Sequence, residues 1–360
     1  FTALLLLVNV NIFRYTQFLA ILNLTLNTNN YDIFDGEVPK LEDLIKDIPS
    51  ETVISILSVI SSYLYLEGNG LKTQFRVLNF LNFRQSLENR QRILQRLFRR
   101  ADKEESIEFF TQLYCMEFLH YEFTHYRDFK INDTTPYQEL NFLKAYFVIA
   151  EQVNKKYTTA FDTNKELAGD YFQKSIWPTL FDQFEVNHRS NPFTGMIKGI
   201  AFLNFMEFYS PYNKYVHEFL AKHKKKKSWN YILDLMMLIK SSWDEILKKP
   251  DRPPFSFKDI EGFTSLFKSF AISVEEYSKE YSLGKKNFSG FKSKPLFEIL
   301  NGHYIVINWD FLSNKLYDGL LFDFYNQSGI SENENFKDFI TFKKYVSEKL
   351  TEQFLFQKLI

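Results

Sequence analysis

Apolar positions recur at helical spacing along most of this chain, so almost everything before residue 294 reads as helix. Residues 3–24 are apolar nearly all round, the pattern of a segment packed inside a fold. Pro39 opens a short helix with Glu42 and Asp43 in its first turns, where the helix dipole favours acids. Ser50 reads as the N-cap of the next helix, whose apolar face carries Val53, Ile54, Ile56, Leu57 and Ile60, and Gly68-Asn69-Gly70 closes it. Further helices are expected over 71–100, 103–128, 137–157, 196–208, 228–247, 257–283, 312–320 and 336–359, with a weaker helical pattern over 158–185.

One stretch breaks the pattern. Pro295-Leu296-Phe297-Glu298-Ile299-Leu300 and His303-Tyr304-Ile305-Val306-Ile307 flank Asn301-Gly302, the strongest short-range signal for a two-residue β-hairpin. Pro295 suits the first position of a strand. The expected fold is therefore mostly α, a multi-helix array with a small β-hairpin near residues 295–309. Three prolines between Pro250 and Pro254 cannot continue a helix. They divide the chain into a helical domain at 1–249, a linker at 250–256, and a smaller helical region with the hairpin at 257–360, which could lead into a further domain.

Composition narrows the function classes. Lys+Arg and Asp+Glu are both 44, so no global field points to nucleic acid or membrane, and such a role must rest on a local patch. The 40 Phe and 21 Tyr at helical spacing read as core filler. One cysteine, Cys115, excludes an internal disulfide and suits a reducing, cytoplasmic setting. The apolar opening Phe1–Val8 is interrupted by Asn9, Asn11 and Arg14, too soon to span a bilayer, so no membrane role is expected. The chain starts at Phe1 and not at a methionine, so residues before it are expected to be missing or removed.

Two basic clusters are the candidate binding residues. Arg92, Arg96, Arg99 and Arg100 fall at i, i+4 and i+7/i+8 on one helix, preceded by Arg90, and guanidinium forks match phosphate geometry. The alternative is a solvated face paired with Glu88, Glu104 and Glu105. Lys224, Lys225, Lys226 and Lys227 form a self-repelling run beside Trp229 that either contacts phosphates or is a solvated turn.

Glu117-x-x-His120, Glu122-x-x-His125 and Glu185-x-x-His188 resemble half of a di-metal carboxylate signature, for which Glu139, Glu151 or Glu207 would be needed as bridging groups. Chance pairs of this kind are easy among 44 acidic residues, and no metal ligands are assigned. No nucleophile elbow, phosphate-binding loop or dinucleotide fingerprint occurs, and Cys115 sits in a helix whose pattern looks buried. Catalytic residues are therefore unassigned, and whether the chain is an enzyme is left open.

Three stretches resemble uncharacterised bacterial proteins that join a long helical N-terminal region to a restriction-endonuclease-like PD-(D/E)XK nuclease domain. They are Leu44 to Leu57, the hairpin through Asp310-Phe311-Leu312, and Leu316 to Phe324 leading to Phe336–Leu350. The resemblance implies a helical nucleic-acid-associated or regulatory module of a larger nuclease-type protein from a phage-defence or restriction system. Glu348 or Glu352 would stand on the first helix of the nuclease core, and the metal-binding hairpin would lie past Ile360. A cofactor, Mg²⁺, follows only if that domain does. DNA or RNA would then be the partner. The alternative is a non-catalytic protein–protein scaffold, and a di-metal carboxylate bundle stands behind both.

Overall fold

The computed structural model describes residues 38–68, 70–81, 109–129, 135–162, 192–248, 257–258, 264–283, 288–300 and 302–358. The fold is mostly α, a multi-helix array with a small antiparallel hairpin. Helices α1 (Leu41–Ile45), α2 (Ser50–Glu67), α3 (Leu71–Leu81), α4 (Gln112–Thr124) and α5 (Pro136–Asp162) form the first part. They are followed by α6 (Pro192–Asn204), which runs into a π-helical turn at Phe205–Tyr209, then α7 (Asn213–Lys222) and α8 (Ser228–Lys248). Residues 1–37, 163–191 and 249–256 lie outside the described residues, and with them the expected segment 3–24, most of 158–185 and the whole linker.

The hairpin pairs β2 (Leu296–Leu300) with β3 (His303–Val306), and β3 also carries a third, two-residue strand β1 (Phe257–Lys258) on its other edge. Gly302 sits in the turn with φ 75, as the turn chemistry requires, and its amide donates to the Glu298 carboxylate at 2.8 Å. A bulge at Ile299 adjusts the register between Glu298 and Leu300.

Local capping moves several boundaries away from those that periodicity indicates. The expected helix over 257–283 is instead β1 and two helices, α9 (Thr264–Phe270) and α10 (Val274–Ser282). The chain leaves the helix at Ala271 because the Ile272 amide bonds the Leu296 carbonyl at 2.9 Å, and Ser273 then caps α10 by accepting from the Glu276 amide. After the short α11 (Ser289–Ser293) and the hairpin, α12 (Trp309–Asn314) starts early because Asn308 accepts from the Phe311 amide. It breaks at 315–317 before α13 (Asp318–Gln327), and two 3₁₀ turns lead to α14 (Phe339–Lys358). Thr111 caps α4, whose helix begins at Gln112 and not at 103. Ser50 is not a cap: it is the first helical residue after Pro49, and its hydroxyl accepts from the Arg127 amide at 2.9 Å.

α2 is the hub. It packs against α3, α4, β3 and α12, and it is buried almost all round. Ser58, Ser61, Ser62 and Tyr65 follow i, i+3, i+4, i+7 and form one buried polar stripe. Ser58 donates to the Val306 carbonyl at 2.6 Å, and Ser61 donates to Gln112 Oε1 at 2.8 Å. Ser62 Oγ accepts from the Trp309 indole at 2.8 Å, and the Tyr65 hydroxyl lies 3.0 Å from Ser313 Oγ. The buried apolar residues from Leu41 to Leu350 belong to one cluster, so elements on both sides of 250–256 share a core.

Replacing Ser62 with Ala removes the hydroxyl that accepts from the buried indole N–H, a loss of about 1–3 kcal/mol. The expected result is a lower urea midpoint at unchanged slope; an unchanged midpoint would show that the contact is not carried in the folded state.

Candidate functional site

α6 and α8 pack side by side, and two glycines let other elements approach them closely. A Cβ on Gly199 would overlap the Leu316 carbonyl oxygen and press on Ile232 Cδ1, and one on Gly195 would sit 3.2 Å from Leu316 Cβ. Gly199 meets Ile232, while Ser228 at the start of α8 donates to the Glu207 carboxylate beyond the end of α6. The two helices therefore run antiparallel. Ile197 (59% exposed) stands two residues from both Gly195 and Gly199, on the side of α6 away from Leu316 and Ile232, and Trp229 (49%), Leu233 (42%) and Met237 (42%) are exposed on α8. The α8 residues are spaced i, i+4, i+8 and form a single stripe. Phe208 and Tyr209, in the π-helical turn after α6, are exposed as well.

The lysine run borders this surface. α7 ends in a Schellman turn, with the Lys225 amide bonded to the Leu220 carbonyl at 2.8 Å and the Lys224 amide to the Ala221 carbonyl at 3.0 Å. Lys224 occupies the left-handed position at φ 55, where glycine is usual. Lys225 turns inward and pairs with Asp234 on α8, both side chains largely buried. Lys224, Lys226 and Lys227 are exposed. Of the nine basic candidates, Arg90, Arg92, Arg96, Arg99 and Arg100 lie outside the described residues.

A buried polar group anchors the same turn from below. His223 Nε2 lies 2.9 Å from Gln327 Oε1, with Tyr231 and Phe219 against its ring. Burial holds its pKa below the ordinary 6.5, although the Gln327 bond and Asp323 pull upward. Lys315 Nζ bonds both Asp323 oxygens at 2.9–3.0 Å, and burial still pushes that carboxyl above its ordinary range. The histidine ties the end of α7 to α13, and the Lys315–Asp323 pair ties the end of α12 to the same helix.

The histidine–carboxylate motifs are dispersed by other partners. Glu122 is buried and accepts from Arg127 at 2.7 Å, and its carboxyl is pushed up by burial. His120 Nδ1 lies 2.7 Å from the Tyr277 hydroxyl, His125 stacks on Tyr121, and Glu207 accepts from Ser228. Glu185 and His188 lie outside the described residues. Among the described residues no group of three or more His, Cys, Asp or Glu is placed to hold a metal. Cavities of about 520 and 300 Å³ meet at Tyr121 and Gln152, and the smaller is lined by Glu117, His120 and His125. Burial drives the Cys115 thiol up to about 12, which suppresses the thiolate that nucleophilic chemistry needs.

The stripe on α8 was legible only as an excess: Trp229-Asn230-Tyr231-Ile232-Leu233-Asp234-Leu235-Met236-Met237 has more apolar positions than one buried face uses. No described helix is long and apolar enough to cross a membrane. Compared with family models, with curated proteins and with solved structures, the chain gives no match.

Two outcomes follow. Lys224→Gly relieves the left-handed position and raises the unfolding free energy by about 1 kcal/mol, seen as a higher urea midpoint; a lower midpoint would place the lysine side chain in a stabilising contact. His223 stays neutral in the fold while the unfolded chain takes up a proton near 6.5, so its contribution is present above that pH and lost as pH falls through it. Between pH 7 and 5 the wild-type midpoint should drop more than that of His223→Gln; parallel curves would contradict the burial.

Proposed function

We propose that this chain is a non-catalytic helical scaffold that holds a partner protein on the outer face of α8. The observation that carries this reading is the exposed apolar stripe Trp229, Leu233 and Met237 on α8, a helix braced against Gly199 of α6 through Ile232. Adjacent exposed apolar side chains on rigid elements mark an interaction surface more than a catalytic one. The buried thiol and the dispersed histidines support the absence of catalysis at these groups.

A second reading is favoured by Lys224, Lys226 and Lys227, which stand exposed at one end of that face: a nucleic-acid-associated module, in the manner of the helical part of a nuclease-type protein. The two readings differ in salt dependence. A protein complex held by apolar burial changes little with salt, whereas each phosphate contact adds about one unit of slope.

A photocrosslinking residue at position 233 should capture a protein in cells. That protein, purified, should bind the chain with an affinity that Leu233→Asp weakens by about tenfold or more and that varies little with salt. Capture of nucleic acid, with a salt slope that falls when Lys224, Lys226 and Lys227 are changed to Ala, would replace this reading with the second.

A further inference from the structure

Resting on the scaffold reading, the charge around the face specifies the chemistry of its occupant. Between Ile197 and Ile239 the exposed charged residues are Lys198, Lys214, Lys222, Lys224, Lys226 and Lys227 against a single acid, Glu218. The whole chain is neutral, so this asymmetry is local. Within this span Asp234 pairs with Lys225, and Glu207 accepts from Ser228. Lys226 and Lys227 precede Trp229 closely, so two exposed lysines stand at the start of the stripe, while Lys198 Nζ lies over the Tyr317 ring.

We propose that the outer face of α8 binds an amphipathic helix whose apolar stripe is bordered by carboxylates. The stripe Trp229, Leu233, Met237 advances one helical turn per residue, about 12 Å in all, and presents an apolar surface to the i, i+3, i+4, i+7 anchors of a docked helix. Aspartates and glutamates beside those anchors would meet Lys226 and Lys227, with Lys224 in the same turn, at the start of the stripe, which steers encounter and sets orientation. Nucleic acid supplies the negative charge but no apolar stripe to cover Leu233 and Met237.

The test uses the full chain and three labelled peptides of about 18 residues, long enough for helix formation. The first carries a leucine stripe flanked by glutamates, the second the same stripe flanked by lysines, and the third has the first peptide's composition with the stripe scrambled. Fluorescence anisotropy should show the first binding at least about tenfold more tightly than either other, with a loss of about tenfold on Leu233→Asp and a smaller loss on Lys226→Glu with Lys227→Glu. Equal binding of the lysine-flanked peptide would overturn the acidic helix while leaving an apolar docking face. Equal binding of the scrambled peptide, or binding unaffected by Leu233→Asp, would overturn the docked helix altogether. No peptide binding, with phosphatidylglycerol vesicles or a short duplex bound in a Leu233-dependent way, would assign the face to those surfaces and overturn the proposal. No binding of any of these would overturn it equally.

Discussion

Ser58, Ser61 and Ser62 on α2 determine how the hairpin end of the chain joins the helical body. A strand that ends against a helix buries its last carbonyl, and an indole beside it buries an N–H; each needs a partner once water is gone. Hydroxyls supply both within the width of a small side chain, because Ser58 donates to Val306 and Ser62 accepts from Trp309. Alanine at these positions would pack as closely but remove the hydroxyls that these groups bond, and leucine would hold the hairpin off. Gln112 extends the same arrangement into α4, donating to the Ser61 carbonyl and accepting from Ser61 and Asn308. Four elements thus converge on one polar stripe.

That junction reaches the candidate face through α12. Trp309, held on α2 and stacked on Tyr65, starts α12; Leu316, just beyond its end, seats on Gly195 and Gly199 of α6. α6 in turn fixes α8 through Ile232 and Ser228. The apolar row is therefore carried on elements tied to the centre of the core, which is what a docking surface requires if it is to bind without reorganising. The lysine turn is held just as firmly. The Schellman bonds, His223 and the inward Lys225 fix its backbone, so the neighbouring lysines project from a rigid corner.

Much of this could be read from the residues, and the parts that could not have physical reasons. The hairpin was legible because Asn301-Gly302 specifies a turn by backbone conformation, and long helices were legible where one face is apolar. The break at Ala271 was hidden because it is caused by pairing with Leu296, remote in sequence, and β1 is too short to show a period. The serine stripe reads in isolation as a solvent face, since periodicity cannot distinguish water from a partner that offers Val306 and Trp309. Lys225 looked equivalent to its neighbours in a run of like charges; only the left-handed turn at Lys224 aims it at Asp234. The face itself was visible only as surplus hydrophobicity in α8, because sequence shows which residues are apolar and not which remain uncovered.

The central claim is that the polar stripe of α2 makes the helical body, the hairpin and α12 one cooperative unit. Native-state hydrogen exchange on the full chain measures this directly. Amides in α2, α4, β3 and α12 should exchange together, with the highest protection in the molecule and a common dependence on low urea. Protection retained in α2 and α4 while β3 and α12 exchange orders of magnitude faster would contradict it, and would make the hairpin end an independently opening unit.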